Sequence, residues 1–438
     1  MFLNLLPLAL AGLTGLATDS PGPTPAPATT AFVGAHVIPI SSAEIEDGIV
    51  LVQDGKITAV GARADVAIPS GATVIDATGR ILMPGLVDTH SHVGGGWAAD
   101  GSEPIQPGVS VYDAIDVRNT GFQRAQAGGI TVANVMPGSG HLMSGQTAYL
   151  KLTDANTIDG WAVRDADGKP MGGMKMANGT NSRRAAPFPG TRGKSAALVR
   201  EVFLEAQAYQ RKLAAAEDDP DKAPDRDLAM EALVEVLEGK RIVHHHTHRH
   251  DDIMTVLRLR EEFGFRVVLH HVSEAWKVAD EIAAAGVGSS LILVDSPGGK
   301  LEARDVGFEA GGVLERAGAQ VAFHTDDWIT DSRHFLRMAA LAVRAGMTRD
   351  GALRALTIEP ARMLDLGDRV GSLEVGKDAD LILLDGDPFS VYTKVQETWV
   401  DGVRVFDRSV ELDLLFATGG MGAGQSRAHT SCCDGEGN

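Results

Sequence analysis

Apolar runs alternate with helix-like stretches through the middle of the chain. Eight of these runs are short, and most are rich in Val, Ile and Leu, which is typical of strands buried on both faces. The alternation predicts βα units and a parallel sheet. We expect an α/β fold, a (β/α)8 TIM barrel over residues 81–364, because eight strands can close such a barrel. The predicted strands lie near residues 82–90, 130–136, 147–152, 173–177, 241–246, 266–271, 290–294 and 320–325.

The two ends of this region predict a small β domain. Residues 32–80 hold short β-type runs between turn residues, including a hairpin on Asp54 and Gly55. A second Asp-Gly turn, at Asp401 and Gly402, follows a strand-like run near residue 381. We expect residues 32–80 and 365–410 to pair into one small β-sandwich domain beside the barrel.

The segment 178–240 is too long for a single crossover between strands. It contains an amphipathic helix near residues 195–215, followed by a charged, proline-containing piece at 217–226. The pattern indicates an insertion into the barrel, which could form a lid or an assembly surface for a homo-oligomer.

Residues 1–17 are short and apolar, and they precede a Pro/Thr/Ala-rich stretch at 18–31, which is typical of an export signal and a linker. No Lys or Arg precedes Lys56, so the usual positively charged start is missing. Export to the periplasm or the outside is the expectation, with a disordered N-terminus and a cytoplasmic location as the alternative. Residues 411–438 are expected to form a disordered tail.

The charge balance is acidic. With 40 basic and 58 acidic residues the formal charge is −18, which argues against nucleic acid or anionic lipid as the main partner. No later run approaches the about 20 apolar residues of a membrane span. The cysteines, Cys432 and Cys433, are adjacent and provide neither a disulfide framework nor a cysteine zinc site. Any metal must be held by histidine and carboxylate.

Histidine and aspartate follow four of the predicted strands. His90 and His92 end the first run, and they share one face because side chains alternate along a strand. Neutral imidazole suits zinc or a similar transition ion. In a barrel the active site lies at the carboxyl ends of the strands, so these residues predict a metal centre there. The other three runs end in residues 244–250, 270–271 and 324–327.

These motifs resemble those of the amidohydrolase superfamily, closest to its imidazolonepropionase-like and prolidase-like branch. The matching segments are PGLVDTHSH, the histidine cluster, LHHVSEAWK, HTDD and the closing TIEPARMLDL…GSLEVGKDADLILLD. The resemblance covers about residues 32–410. It implies a metal-dependent hydrolase with a (β/α)8 barrel and a β domain built from both ends of the chain.

The resemblance also implies roles for single residues. It assigns metal ligands on the first, fifth, sixth and eighth strands, and it makes the eighth-strand aspartate catalytic. His248 is expected to contact the substrate or support the metal, whereas His270 is expected to point away. The implied ligands are His90, His92, His246, His271 and Asp326.

Lys175 resembles the fourth-strand lysine that in binuclear members is carboxylated and bridges two metals. An unmodified ammonium would be repelled by several kcal/mol beside two divalent cations, even at an effective dielectric of about 20. Carboxylated Lys175 in a two-metal site is one hypothesis. A structural or substrate-binding lysine beside one metal is the other.

Arg183, Arg184 and Arg249 are candidates to bind a substrate carboxylate, because a guanidinium pairs with it through two hydrogen bonds. The alternative is that they are ordinary surface arginines.

The predicted reaction is hydrolysis of a carbon-nitrogen amide bond in a dipeptide, an N-acyl amino acid or a cyclic amide. A divalent metal, expected to be zinc, would activate water, and Asp326 would act as general base and then as general acid. Deamination of a cyclic amidine is the alternative reaction. Deaminases of the superfamily commonly carry a Glu after the fifth-strand histidine, where this chain has Thr247 and His248. A metal-free barrel scaffold is the non-enzymatic alternative.

Overall fold

The computed structural model describes residues 29–95, 99–293, 300–327 and 329–419. The predicted export signal and most of the predicted linker therefore lie outside the described residues. Residues 29–31, assigned above to the linker, already belong to a strand. Residues 411–418, assigned above to a disordered tail, form a helix.

The described residues form seventeen β-strands and ten α-helices. The strands are β1 (Thr29–Val37), β2 (Ile45–Gln53), β3 (Lys56–Ala62), β4 (Thr73–Asp76), β5 (Ile81–Pro84), β6 (Leu86–Ser91), β7 (Ile130–Val135), β8 (Met143–Gln146), β9 (Ala148–Lys151), β10 (Met174–Ala177), β11 (Val243–Thr247), β12 (Val267–His271), β13 (Gly288–Leu291), β14 (Val321–Phe323), β15 (Leu381–Leu384), β16 (Val395–Val400) and β17 (Val403–Asp407). The helices are α1 (Thr120–Ala127), α2 (Arg192–Asp218), α3 (Leu228–Leu237), α4 (His250–Phe263), α5 (Ala279–Ala285), α6 (Ala310–Arg316), α7 (Phe335–Arg344), α8 (Arg349–Leu356), α9 (Ile358–Met363) and α10 (Glu411–Thr418).

Strands from both ends of the described chain share one eight-stranded sheet. Its order is β17-β16-β15-β5-β1-β2-β3, with β4 paired to β1. The connection between the two ends is the antiparallel pair of β15 with β5, in which Leu381 lies opposite Pro84. The two-sheet sandwich expected above is not confirmed, because these strands are linked by hydrogen bonds into a single sheet.

Both predicted Asp-Gly hairpins are confirmed. Asp54 and Gly55 have φ values of 51° and 73°, and Asp401 and Gly402 have values of 49° and 72°. Two consecutive positive φ values are the geometry of a two-residue type I′ turn. The turns also pack together, since a Cβ on Gly55 would lie 3.0 Å from the carbonyl oxygen of Asp401.

The strands that carry the site form two arcs. One arc is β6-β7-β9 and the other is β14-β13-β12-β11-β10-β8. Strand β9 runs antiparallel to β7. Only residues 136–142 connect β7 to β8, too few for a crossover, and Thr147 alone separates β8 from β9. Each of the eight predicted runs overlaps a described strand, although the run at 290–294 shares only residues 290–291 with β13, and the α/β class is confirmed. The described strands do not form a closed ring of paired strands, contrary to the expectation of a closed barrel.

Hydrogen bonds join the end of β14 to β6. The carboxylate of Asp88 accepts hydrogen bonds from the backbone N–H of Thr325 at 3.1 Å and from its hydroxyl. The backbone N–H of Asp326 donates to the carbonyl of His90 at 2.9 Å. These contacts hold the ends of the first and last barrel strands side by side.

The predicted amphipathic helix is α2. Its apolar face is buried, and Phe203 stacks on Phe263 and Phe265 with ring centroids 5.1 and 5.3 Å away. The helix begins at Thr191, whose side chain accepts a hydrogen bond from the backbone N–H of Lys194. The insertion therefore packs firmly on the barrel, while its role as lid or assembly surface stays a prediction. Among the described residues no helix combines the length and apolarity needed to cross a membrane.

A buried charge cluster joins β9 to the terminal sheet. The Lys151 ammonium lies 2.8 Å from Asp378 and 2.9 Å from Asp380, and it also contacts Asp401. Burial raises the pKa of the Asp380 carboxyl to about 6, although the charge of Lys151 opposes that shift. Lys151 therefore compensates acidic groups that could not otherwise be buried together.

Replacing Lys151 with Met should lower the free energy of unfolding by about 3–5 kcal/mol, because it leaves buried carboxylates without their cation. Lys56→Met is the matched control. Lys56 also contacts Asp378, but its side chain is 50% exposed whereas that of Lys151 is 7% exposed. The control should lose no more than about 1 kcal/mol. Urea denaturation measures both values, and equal losses would contradict the role given to Lys151.

Candidate metal-binding active site

The carboxyl ends of β6, β11 and β12 and the loop after β14 bring histidines and one aspartate together. This is the edge of the sheet at which the sequence predicts the site. The side chains concerned are no more than 5% exposed. They are His90, His92, Lys175, His246, His248, His271 and Asp326.

Asp326 lies against the first-strand histidine pair. Its Oδ1 is 2.9 Å from Nε2 of His92 and 3.3 Å from Nε2 of His90, and the two Nε2 atoms are 3.2 Å apart. The Nδ1–H of His92 can donate to the carbonyl of Met136 at 2.8 Å, which leaves the Nε2 lone pair directed at the cluster. These three side chains thus present donor atoms to one point.

His271 connects this group to the fifth-strand histidines. The donor atoms of His90, His271 and Asp326 lie within 4.8 Å of one another, and so do those of His246, His248 and His271. Nε2 of His271 is buried without a hydrogen-bond partner among the described residues. A buried polar atom without a partner is costly, and metal ligation would satisfy it. The donor set therefore fits a divalent transition ion.

Electrostatics favour the ligand forms of these side chains. Burial lowers the pKa of His90, His246 and His271 well below the ordinary value, so the rings are neutral. Burial raises the pKa of Asp326, but its contact with His92 and nearby positive charge, including that of Lys175, outweigh it and leave that pKa lowered. Neutral imidazoles around an ionised carboxylate are what zinc prefers.

Lys175 lies on β10 at the base of this cluster. Its ammonium nitrogen is 3.2 Å from Nε2 of His90, and the side chain is fully buried. The position agrees with the fourth-strand lysine predicted above. Whether Lys175 is carboxylated stays a prediction.

The prediction that His270 points away is wrong. His271, Val272 and Asp326 have positive φ values of 70°, 40° and 50°, and such values in residues other than glycine cost about 1–2 kcal/mol each. Because the backbone turns at the end of β12, strict alternation fails there. The rings of His270 and His271 both lie near that of His90, at centroid distances of 5.0 and 4.8 Å.

His244 lies deeper, below the proposed ligands. Its Nε2 is 2.9 Å from the hydroxyl of Tyr149, and its Nδ1 is 3.0 Å from Nε2 of His270. Both ring nitrogens are therefore engaged in hydrogen bonds. This agrees with the choice of His246 over His244 as the fifth-strand ligand.

The three candidate arginines have other partners. Nε of Arg183 donates to the carbonyl of Gly179 at 3.0 Å, and the Arg184 guanidinium stacks on Phe188 at 3.9 Å. Arg249 pairs with the neighbouring Asp251 at 2.8 Å. None of these contacts includes a residue of the histidine cluster, so the geometry lends no support to a carboxylate clamp.

Two side chains beside the cluster were not selected from the sequence. Lys300 places its ammonium 3.1 Å from Nε2 of His246 and 3.3 Å from Glu302. Nε2 of His324 lies 3.3 Å from Nδ1 of His271. The signal for His324 was its place in the HTDD motif, directly after an apolar run, whereas Lys300 carried no local signal.

Comparison with known proteins agrees with this geometry. Residues 81–406 match the model of the Amidohydrolase family. The chain belongs to this family. The prediction of the superfamily is thus confirmed, and the fold of the superfamily is a (β/α)8 barrel.

This amidohydrolase is similar to an amidohydrolase of Thermotoga maritima MSB8 of known structure. The two share 33% sequence identity with a TM-score of 0.81, over 86% of this chain and 100% of that one. It is 28% identical to an imidazolonepropionase of Deinococcus radiodurans over 407 residues, covering 86% of this chain and 92% of that protein. It is also 28% identical to amidohydrolase tasK of Hapsidospora irregularis over 408 residues, or 83% of this chain, but it spans only 40% of the length of that relative.

The buried histidines should make the metal-free amidohydrolase sensitive to mild acid. Unfolded histidines bind protons below a pKa of about 6.5, whereas burial lowers the pKa of His245 to about 4 and that of His244 and His324 to about 3. Their contribution is complete above pH 6.5 and is lost as pH falls through these values, at up to about 1.4 kcal/mol per histidine and pH unit.

Thermal melts of the metal-free protein at pH 7.5, 6.5 and 5.5 check this expectation. The melting temperature should fall steeply below pH 6.5. His244→Gln should flatten the dependence, because it removes one of these buried histidines. A melting temperature that stays constant over this range would contradict the neutral state of the cluster.

Proposed function

We propose that this amidohydrolase cleaves a carbon-nitrogen amide bond in a dipeptide, an N-acyl amino acid or a cyclic amide. The observation that carries the proposal is the position of Asp326. Its buried carboxylate lies 2.9 Å from His92, 3.3 Å from His90 and 3.8 Å from His271. A base is thereby placed among the donor atoms of the cluster. The similarity to an imidazolonepropionase supports hydrolysis of a carbon-nitrogen bond.

The residues that would hold a divalent metal, which we propose to be zinc, are those of the cluster. When bound, the metal supplies Lewis acidity, which polarises a carbonyl and lowers the pKa of water toward neutrality. A second ion would require carboxylated Lys175 as a bridge. The set of ligands is His90, His92, His246, His271 and Asp326.

Asp326 acts as the proton carrier. Its lowered pKa keeps the carboxylate ionised at neutral pH, so it can accept the proton of the attacking water. The same carboxyl group then donates that proton to the leaving nitrogen. Its position is fixed because its backbone N–H donates to the carbonyl of His90.

His248 is the group proposed to bind the substrate oxygen. Its Nδ1 lies 2.7 Å from the hydroxyl of Ser273, and its Nε2 is buried without a partner among the described residues. If Ser273 donates to Nδ1, the ring proton is on Nε2 and can be donated to the developing oxyanion. A hydrogen bond that strengthens as charge develops lowers the barrier.

Deamination of a cyclic amidine is the competing reaction. The position after Thr247, near the fifth-strand ligand, holds His248 and not the Glu common in deaminases of the superfamily. This favours amide hydrolysis. Release of free ammonia from a heterocyclic amidine, without cleavage of any amide, would support deamination instead.

A screen of the zinc-loaded enzyme tests the reaction. Xaa-Pro and Xaa-Arg dipeptides, N-acyl amino acids and cyclic amides are assayed for new amine or carboxylate groups. Asp326→Asn should lower kcat by about 10²–10⁴-fold, because it removes the proton carrier. Asp327→Asn is the matched control, since its carboxylate faces Ser332 rather than the cluster. An Asp326→Asn variant as active as the wild type would remove Asp326 from the mechanism.

Metal removal tests whether the site is functional. Dialysis against a chelator should abolish hydrolysis and lower the melting temperature, because a ligand at 1,000 times its Kd stabilises the folded state by about 4 kcal/mol. Zinc should restore both. A purified chain that contains no metal and melts at the same temperature with and without zinc would instead support a non-catalytic scaffold.

A further inference from the structure

A buried chain of hydrogen bonds leads to His271 from behind. The hydroxyl of Thr89 lies 2.6 Å from that of Ser290, and the Ser290 hydroxyl lies 2.8 Å from Nδ1 of His324. Nε2 of His324 then lies 3.3 Å from Nδ1 of His271. All four side chains are at most 2% exposed, so bulk water does not reach these contacts.

This series of hydrogen bonds determines which nitrogen of His271 can bind a metal. A neutral imidazole carries one proton, so only one of its nitrogens offers a lone pair. Nε2 of His271 is buried without a hydrogen-bond partner among the described residues, and His271 lies in one potential ligand group with His246 and His248. To use this atom as a ligand, His271 must carry its proton on Nδ1 and donate it to His324.

The same count of one proton per ring determines the tautomer of His324. If its Nε2 accepts from His271, its own proton is on Nδ1 and is donated to the hydroxyl of Ser290. With the opposite direction, His271 would carry the proton on Nε2 and could not bind a metal there. Oδ2 of Asp326 lies 3.8 Å from Nδ1 of His271 and is farther than the ring of His324. His324 is therefore the nearer acceptor.

His324 is held in place for this role. Its ring stacks on that of His90, with centroids 4.8 Å apart and an angle of 17° between the planes. The donor atoms of His90, His270 and His324 also lie within 4.8 Å of one another. A metal bound by that deeper group would compete for nitrogens of His324 that already have hydrogen-bond partners. The hydrogen bonds to Ser290 and His271 therefore explain the position of His324 better than a separate metal site does.

We propose that His324 is a positioning residue that fixes the tautomer of His271, so that Nε2 of His271 is free to bind the metal. Ser290 and Thr89 extend the relay and orient His324. The inference rests on the proposed function only for the metal, and it does not depend on the substrate. Groups of this kind behind a metal-binding histidine typically change metal affinity by about 10–100-fold when they are removed.

The test compares His324→Leu with His324→Gln. Leucine removes the acceptor, whereas the side-chain oxygen of glutamine can accept a hydrogen bond where Nε2 did. The zinc Kd is measured by competition with a chromophoric chelator, and the melting temperature of each metal-free variant is measured beside it. We expect zinc affinity to fall by about 10–100-fold in His324→Leu and to recover most of that loss in His324→Gln.

Three outcomes would overturn the proposal. These are a wild-type chain that binds no zinc, a His324→Leu variant with wild-type affinity, and equal losses of affinity in both variants. The last would indicate a packing role, as would a lower melting temperature of the metal-free protein with unchanged affinity. If His324→Leu does not fold, Ser290→Ala is used, which removes the acceptor for Nδ1 and should also weaken zinc binding. A chain that binds zinc as expected but cleaves no amide contradicts the proposed function alone.

Discussion

The neutrality of the buried histidine cluster is the constraint on which the site depends. Charged imidazoles could not be packed this closely without water, so burial keeps the rings neutral and leaves lone pairs directed inward. Asp326 is the ionised acid in contact with them, and the positive charge of Lys175 helps to keep it ionised. Several ring nitrogens are then left without hydrogen-bond partners among the described residues. A divalent ion bound by these atoms would satisfy them, which links the stability of the fold to the chemistry of the site.

Two residues of the site have strained backbone conformations. Positive φ values at His271 and Asp326 are unfavourable for residues with a Cβ, and they persist because surrounding contacts hold them. Asp88 ties the end of β14 to β6 through Thr325. Burial raises the pKa of Asp88 to about 7, a sign of how little water reaches this seam. Of the strained residues, Asp326 lies directly at this seam, since its backbone N–H donates to the carbonyl of His90.

Much of the fold and of the site could be predicted from local pattern. The strands that carry the ligands were placed within a few residues, because apolar runs ending in histidine are a short-range signal. Strand β9 was expected in a parallel sheet but runs antiparallel to β7, because the direction of a strand depends on the length of the connection before it. His270 was misplaced for a related reason, since alternation holds only while the backbone stays extended. The helix at Glu411–Thr418 was missed because its stability depends on packing against the rest of the chain.

The sequence alone determined the residue types of the site and the superfamily, because short motifs identify both. It also determined the α/β class, because the spacing of apolar residues indicates alternating strands and helices. It could not determine the relay behind His271. Ser290 has no local pattern that distinguishes it from an ordinary buried polar residue, and the place of His324 in the HTDD motif does not show which side chains its ring contacts. Only the tertiary structure brings Thr89 within 2.6 Å of Ser290, 201 positions away. Contacts between distant segments follow from how the strands are arranged around the barrel, and no local preference of the chain encodes that arrangement.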